Sequence, residues 1–495
     1  MSIIYAPAPN GTDDTAALQA AIDTYATYPV FNTAGVEIVL DRGVYRVSQS
    51  LNLTSRHGVH IRGQGMHATE IRALGNFPVV SATGSSGEPL NQASLKSMTI
   101  RGYGHGAVTG PETTYNYAHG IVLHWTNRCA VEDVVFYGCR VGILLTHAWQ
   151  TRLTNLQAGG EGTDCCHQGV YLGQSDATYI DNAVIASGCT MQQCLFAGFR
   201  IVNGQGSKFV SCEAGGGGML YGWYIGDPSS DVACNWLHIE NCLADTVGVG
   251  WLIESNYALG EMSFSGLWTG SSTDAGIVIR NAADLQINGV VAIKHANQAI
   301  RLENCTRVSI SQVTARQYND NNNASPCILL QDSTACTVSN VTAYSSHAGT
   351  VVRETGTSDQ NLVTTVSNQP ELIGPNSRFI GASGDYGGKI RAAGNAVFSV
   401  NSGLTSSTYL GLGPLDTPLK HCIAVYQPNN AIELYVDGGS RLKVGTTLNS
   451  SSLPFQVPGY TTAGRPSASP AGQIIYDSTL GKLAFSTGSA WTAVA

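Results

Sequence analysis

The sequence predicts an all-β chain whose main body is a parallel β-helix, and three observations carry that prediction. One short apolar strand returns ten times, as "HGIVL", "VGILL", "QGVYL", "AGFRI", "YGWYI", "VGWLI", "AGIVI", "QAIRL", "PCILL" and "GTVVR". Its second residue falls at Gly120, Gly142, Gly169, Gly198, Gly222, Gly250, Gly276, Ala299, Cys327 and Thr350, at intervals of 22 to 29 residues. A period of that length marks stacked units, each too small to bury its own apolar face alone. A second signature follows the first, with apolar residues at its first, fourth and sixth places, as in "VEDVVF", "MQQCLF", "FVSCEA", "IENCLA" and "VSNVTA". Read this way, Cys194, Cys212 and Cys242 take the inward slot that Val134 and Val341 hold elsewhere. In six coils this slot lies 14 residues after the first mark, and a constant path length implies a constant cross-section. Composition agrees, since only 12% of residues are charged and 57 are glycine, which suits many short strands and turns rather than helical bundles.

Each further element follows from local pattern. Near the start, "NGTDDTAALQAAID" sets Leu18, Ala21, Ile22 and Tyr25 at helical spacing, with Thr12 as the expected N-cap and Asp13 and Asp14 facing the positive end of the dipole. Such a helix covers the open strand edges that the first coil would otherwise expose. Asp133, Asn155, Ser211, Asn241 and Asn340 recur just before the second inward slot, where a bend is expected, so Asp133 is assigned to structure. After Asn368 the coils give way to turn-rich strands such as "HCIAVY" and "AIELYVDGGSRLKV". The expected organisation is a capping segment over 1–30, a β-helix over 31–368, a β-rich region over 369–460 and a tail segment over 461–495.

Composition also excludes several function classes. A net charge of −8 argues against a nucleic-acid surface, and no run of about 18 apolar residues suggests a membrane span. The opening "MSIIYAPAPN" lacks the basic and apolar regions of a signal peptide. Thirteen cysteines, an odd number, are expected to be buried reduced thiols. Cys165 and Cys166, followed by His167, have no second pair at metal-ligand spacing, so neither a metal nor a cofactor is expected.

The order "NGTDDTAALQAAID", "GVEIVLDRGVYRVSQSLNL", "GVHIRGQG" and then the coils resembles the pectate-lyase superfamily of right-handed β-helix proteins, over roughly residues 8 to 365. The final "GRPSASPAGQIIYDSTLGKLAFSTGSAWTAV" resembles the ends of phage tail fibres and tailspikes. The resemblance implies a virion tail protein, assembled in the host cytoplasm, that forms a homotrimer. It also implies a phage tail or baseplate protein as partner through the N-terminus and a bacterial surface polysaccharide as ligand. The paired aspartates of polygalacturonases are missing from the coils, and "GHG" at 104–106 reads as a turn, so no catalytic residue is carried over from that family.

The candidate site comes from the coils that break the 14-residue rule, by 11 after Gly169, by 6 after Gly222 and by 3 after Gly250. Insertions on one side of neighbouring coils make the walls of a groove. The inserted segments carry Asp176, Asp181, Asp227, Asp231, Glu254 and Glu261 with Tyr179, Trp236 and Tyr257. Acids beside aromatics suit a glycan, whose rings stack on aromatic faces and whose glycosidic bond needs a proton donor and a second carboxylate. Asp181 and Asp231 are the expected catalytic pair, with Glu254 and Glu213 as further acids. Trp236, Tyr179, Tyr257, Arg200 and Asp176 are the expected substrate contacts. One coil separates Asp181 from Asp231, which suits the wider carboxylate spacing of inverting hydrolases. Glu254, Arg280 and Glu303 share one outward column, a pattern that also fits a ladder of ion pairs. The expected activity is polysaccharide depolymerisation by hydrolysis. A lyase, and a receptor-binding spike without catalysis, are the alternatives.

Overall fold

The computed structural model describes residues 2–24, 35–104, 118–160, 162–173, 181–228, 234–259, 261–345 and 350–365, the strands between 378 and 445, and residues 457–469 and 471–494. The chain divides into two units, Met1–Gly374 and Pro375–Ala495. The first is a right-handed parallel β-helix. A typical coil runs through Ala197–Ile201, Lys208–Val210 and Glu213–Gly215. These strands pair in parallel with Tyr221–Ile225, His238–Glu240 and Leu243–Asp245 of the next coil. One short segment per face per coil is all the sequence supplies, so each strand is stable only through its neighbours above and below, about 4.8 Å away.

Two columns of left-handed residues turn the chain between these strands. The first contains Gly58, Gln92, Arg128, Gln150, Ala183, Gly206, Trp236, Glu261, Asp284, Arg307, Ala335 and Gln360, all with φ between 51° and 68°. Their identities vary widely, so stacking imposes this corner and no side-chain preference chooses it. The second column is the expected bend. It runs from Ser97 through Asp133, Asn155, Gly188, Ser211, Asn241, Gly266, Gly289 and Gln312 to Asn340. Here amides recur because Asn tolerates this conformation and can bond along the stack, as Asn155 Nδ2 does in donating to Asp133 Oδ1 at 2.9 Å.

Register corrects one assignment. Thr190 pairs with Glu213, and Glu213 with Leu243, so the inward slot just before them holds Cys189, Cys212 and Cys242. Cys194 lies five residues further along, buried at another place. "MQQCLF" fits the apolar pattern at the wrong offset, because Met191 is in register with Ala214. The coil opening at Gly169 therefore carries six inserted residues before the bend rather than eleven. The twelve described cysteines are all buried and unbridged. Cys165, Cys166 and His167 are buried, and the described residues contain no cluster suited to a metal ion.

The N-terminal cap differs from its sequence reading in detail. The helix spans Thr15–Asp23 with Asp14 at the N-cap position, and Thr12 instead bonds Asn10. Asp14 accepts from the backbone nitrogens of Asn10 and Arg46, while Asp13 accepts from Thr15 and the Ser48 hydroxyl. Both acids therefore fasten the helix to the first coil. Gln19 exchanges two hydrogen bonds with the backbone of Asn52, at 2.9 and 3.1 Å, standing in for the missing neighbour strand. Ser2–Tyr5 closes a second edge by pairing with Val36–Val39.

Beneath the middle coils the core carries a column of buried aromatic rings. Phe199, Trp223 and Trp251 stack on successive coils, with ring centroids 3.9 and 4.6 Å apart and planes within 11° of parallel. The second unit is antiparallel through residues 378–445. Its last part, Ile474–Asp477, Lys482–Ser486 and Trp491–Ala493, forms a small antiparallel sheet in which buried Asp477 holds Arg465. The "GHG" turn and the segment 25–30 fall largely outside the described residues.

Cys242→Ala should lower the melting temperature, at a cost on the order of 1 kcal/mol from the cavity left in the ladder. The far-ultraviolet circular dichroism of the folded protein should be unchanged. Differential scanning calorimetry beside the circular dichroism spectrum checks this, and an unchanged melting temperature would contradict it.

Candidate functional site

Alternation along the strands with the aromatic stack decides which side chains face outward. In Ala197–Ile201 the core takes Phe199 and Ile201, so Arg200 faces out, and register aligns it with Tyr224, Leu252, Val278 and Arg301. The next outward column carries Glu254, Arg280 and Glu303. Leu172, Ile225 and Ile253 share one register position, each just before Gly173, Gly226 or Glu254, and the three insertions begin within one residue of that column. The pairing itself records the last insertion, since it breaks between Glu254 and Leu259.

At the foot of those insertions the polar side chains form one continuous chain of contacts. The Arg200 guanidinium is fully buried and lies 3.8 Å over the Tyr224 ring. It donates to the backbone oxygens of Tyr224 and Gly226 and to Asp227 Oδ2 at 3.0 Å. The Tyr224 hydroxyl donates to Glu254 Oε1 at 2.6 Å. Arg280 donates to Glu254 Oε2 at 2.9 Å and to Glu303 Oε2 at 2.6 Å, and Arg301 continues the chain to Glu303 and Asp274. Burial pushes the Tyr224 phenol well above its ordinary value against the pull of the Arg200 cation, and the bond to Glu254 raises it further. Tyr224 is thus a hydrogen-bond donor and a poor base. The side chains of Asp227 and Glu254 are 14% and 12% exposed and that of Arg280 is 37% exposed, so the chain opens to solvent at this point.

The other expected site residues are dispersed. Asp181 is 1% exposed and turns into the protein: Oδ1 accepts from the Ala148 backbone nitrogen at 2.6 Å, and Oδ2 has no partner among the described residues. Burial raises its carboxyl to about 7. Trp236 is half exposed at a corner and donates to the Glu261 carboxylate. Glu213 lies across the second bend, on the outward side of a different strand, in one column with Leu243 and Trp268. Asp176, Tyr179 and Asp231 lie outside the described residues, as does the side chain of Tyr257. The structure therefore brings together Arg200 and Glu254, through Tyr224, and sets Glu213 on a different strand of its coil. Tyr224 was the residue sequence reasoning missed. Its signal was available, because "YGWYI" puts it at the outward place that Arg200 holds in "AGFRI".

Comparison with known proteins supports the architecture. No protein-family profile and no curated protein sequence matches the chain. Among solved structures, tailspike protein 3 of bacteriophage CBA120 is similar at TM-score 0.54 and 14% identity, over 98% of this chain and 67% of that one. The Dettilon tailspike protein is similar at TM-score 0.51 and 12% identity, over 90% and 83%. The catalytic unit of an α-1,3-glucanase from Streptomyces thermodiastaticus is similar at TM-score 0.53 and 12% identity, over 75% and 68%. These likenesses establish the β-helix fold. No helix among the described residues is long and apolar enough to cross a membrane.

The environment of Asp181 makes stability depend on pH. The folded chain keeps this proton up to pH about 7, whereas the unfolded chain releases it near the ordinary 3.8. The resulting stabilisation is complete below pH 3.8 and is lost as pH rises to about 7, by an amount on the order of a few kcal/mol. Urea midpoints should therefore fall between pH 5 and pH 8 in the wild type and fall less in Asp181→Asn. Parallel losses in the two proteins would contradict this account.

Proposed function

We propose that this chain is a phage tailspike that binds and hydrolyses a bacterial surface polysaccharide in the groove at the foot of its inserted loops. The observation that carries the reading is the chain Asp227, Arg200, Tyr224, Glu254 and Arg280, which concentrates carboxylates, a neutral phenol and a solvent-reaching cation where all three insertions begin. An ion ladder built for stability alone has no reason to coincide with those insertions. The tailspikes and the glucanase among its structural neighbours are the proteins whose described roles agree with this reading.

Asp227 and Glu254 are the proposed catalytic pair. Glu254 receives hydrogen bonds on both oxygens, from Tyr224 and Arg280, which suits a carboxylate that acts as base or nucleophile. Asp227 comes two residues after Ile225 and Glu254 one residue after Ile253, the register partner of Ile225, so the two acids stand on adjacent coils. Asp227 supplies the proton to the leaving oxygen, which requires substrate binding to draw it off the Arg200 guanidinium so that it can protonate. Arg280 occupies the space between Glu254 and Glu303, which leaves no room for a glycosidic bond between that second pair. Buried Asp181 is too enclosed for substrate contact in this conformation. Asp231, in the same inserted segment as Asp227, is the next acid to test. Assembly as a homotrimer, and attachment to the phage tail through the N-terminus, belong to the same proposal.

Asp227→Asn and Glu254→Gln should each reduce depolymerisation by about 10²- to 10⁴-fold while glycan binding persists. Trp236→Ala should weaken binding first. Mass spectrometry of the products should show reducing ends with one water added per cleavage. Products with an unsaturated uronate would replace hydrolysis by elimination, and unchanged turnover in both carboxylate variants would move the site to Asp231 or to Glu213.

A further inference from the structure

A second cleft lies far from these loops, on the early coils beside the first left-handed corner. It is a half-open cleft of about 350 Å³, lined by His60, Gln92, Ser94, Lys96, Arg128 and Glu132 around an apolar floor of Ala93, Leu95 and Ala130. The dent exists because Ala130 stands in the outward column between Ser94 and Arg152, where a larger side chain would fill it. A volume at the low end for ligand sites suits one sugar ring rather than an extended chain.

Its charges are arranged unequally. Lys96 pairs with Glu132 at 2.8 Å, so these two neutralise each other on one wall. His60 shares a hydrogen bond of 2.7 Å with the Ser94 hydroxyl, and burial lowers its ring below the ordinary value, which keeps it neutral near pH 7. On the other wall Arg128 gives Nε to Gln150 Oε1 at 2.9 Å, which fixes the plane of the guanidinium. Its terminal nitrogens make no hydrogen bond among the described residues, and neither does the Gln92 amide on the coil before it. The cleft thus offers one net positive charge, held as a planar fork, beside hydroxyl, amide and carboxylate groups able to bond sugar hydroxyls.

We propose that this cleft binds a single carboxylated sugar ring, a hexuronate unit, with its carboxylate on Arg128 and its hydroxyls on Gln92, Ser94 and Glu132. One net charge matches a carboxylate better than a phosphate dianion. The site lies five coils from Glu254 and holds substrate without cutting it. Its biological source, an acidic surface polysaccharide, rests on the reading of the chain as a glycan-binding spike, whereas the binding itself does not.

Titration of the full chain with free glucuronate, followed by ligand-observed NMR or calorimetry, tests this. Saturable binding with Kd of about 1 mM is expected, stronger than for glucose or inorganic phosphate and weakened by salt. Arg128→Ala should weaken it at least tenfold, and Arg128→Lys should restore part of it. Both variants should melt as the wild type does, because this side chain is exposed. Glu254→Gln should bind glucuronate normally, which separates this site from the catalytic reading. Equal binding of glucose, tighter binding of phosphate, unchanged affinity in Arg128→Ala, or loss of binding in Glu254→Gln would each overturn the proposal.

Discussion

Backbone pairing between successive coils is the constraint on which the rest of this protein depends. It fixes each outward residue one strand spacing from its equivalents above and below, so a residue's neighbours follow from register rather than from distance along the chain. Residues 200, 224, 254 and 280 are far apart in sequence and form one contact chain for that reason. The same constraint overrides local preference at the corners, where Trp236, Glu261 and Arg307 adopt a left-handed conformation that their side chains do not favour. It also explains the thiol ladder of Cys189, Cys212 and Cys242, small residues repeated at a slot whose width the stack sets.

The polar chain of contacts beneath the inserted loops is costly to bury. Taking Arg200 wholly out of water is offset only because its guanidinium meets a ring, two backbone oxygens and Asp227. Phe199, Trp223 and Trp251 stack on the opposite side of the same strands, so the backbone that presents Arg200, Tyr224 and Glu254 rests on a rigid aromatic column. A hard floor under a set of charged groups is what positions them without reorganisation, and preorganised groups of this kind are the ones that stabilise developing charge.

Much of this was legible in the sequence because a repeat converts position into direction. Counting from the glycine mark gave the outward column of Glu254, Arg280 and Glu303, and the structure joins all three by hydrogen bonds. The bend residues were equally readable, since their amides recur at one offset. Counting failed where the period failed. In the coil opening at Gly169 the bend is a glycine, which lacks the amide clue, and the six inserted residues let "MQQCLF" match at a false offset, so Cys194 displaced Cys189. Asp181 looked like a loop acid because it lies in an inserted segment, yet it starts a two-residue strand that pairs with Gly204 and turns its carboxyl inward. Thr12 yielded to Asp14 because the helix is anchored by contacts to Arg46 and Ser48, more than thirty residues away, which no local capping rule can see.

The account's central claim is that register, by gathering Asp227, Tyr224, Glu254 and Arg280 at the base of the inserted loops, builds the place where glycan is held for cleavage. The most direct measurement is a crystal structure of Glu254→Gln soaked with a fragment of the host polysaccharide. The account predicts a sugar ring bound between Asp227 and residue 254, within hydrogen-bonding distance of Arg280. A fragment bound instead on the face of Glu213, Leu243 and Trp268, with the Asp227 groove empty, would contradict it.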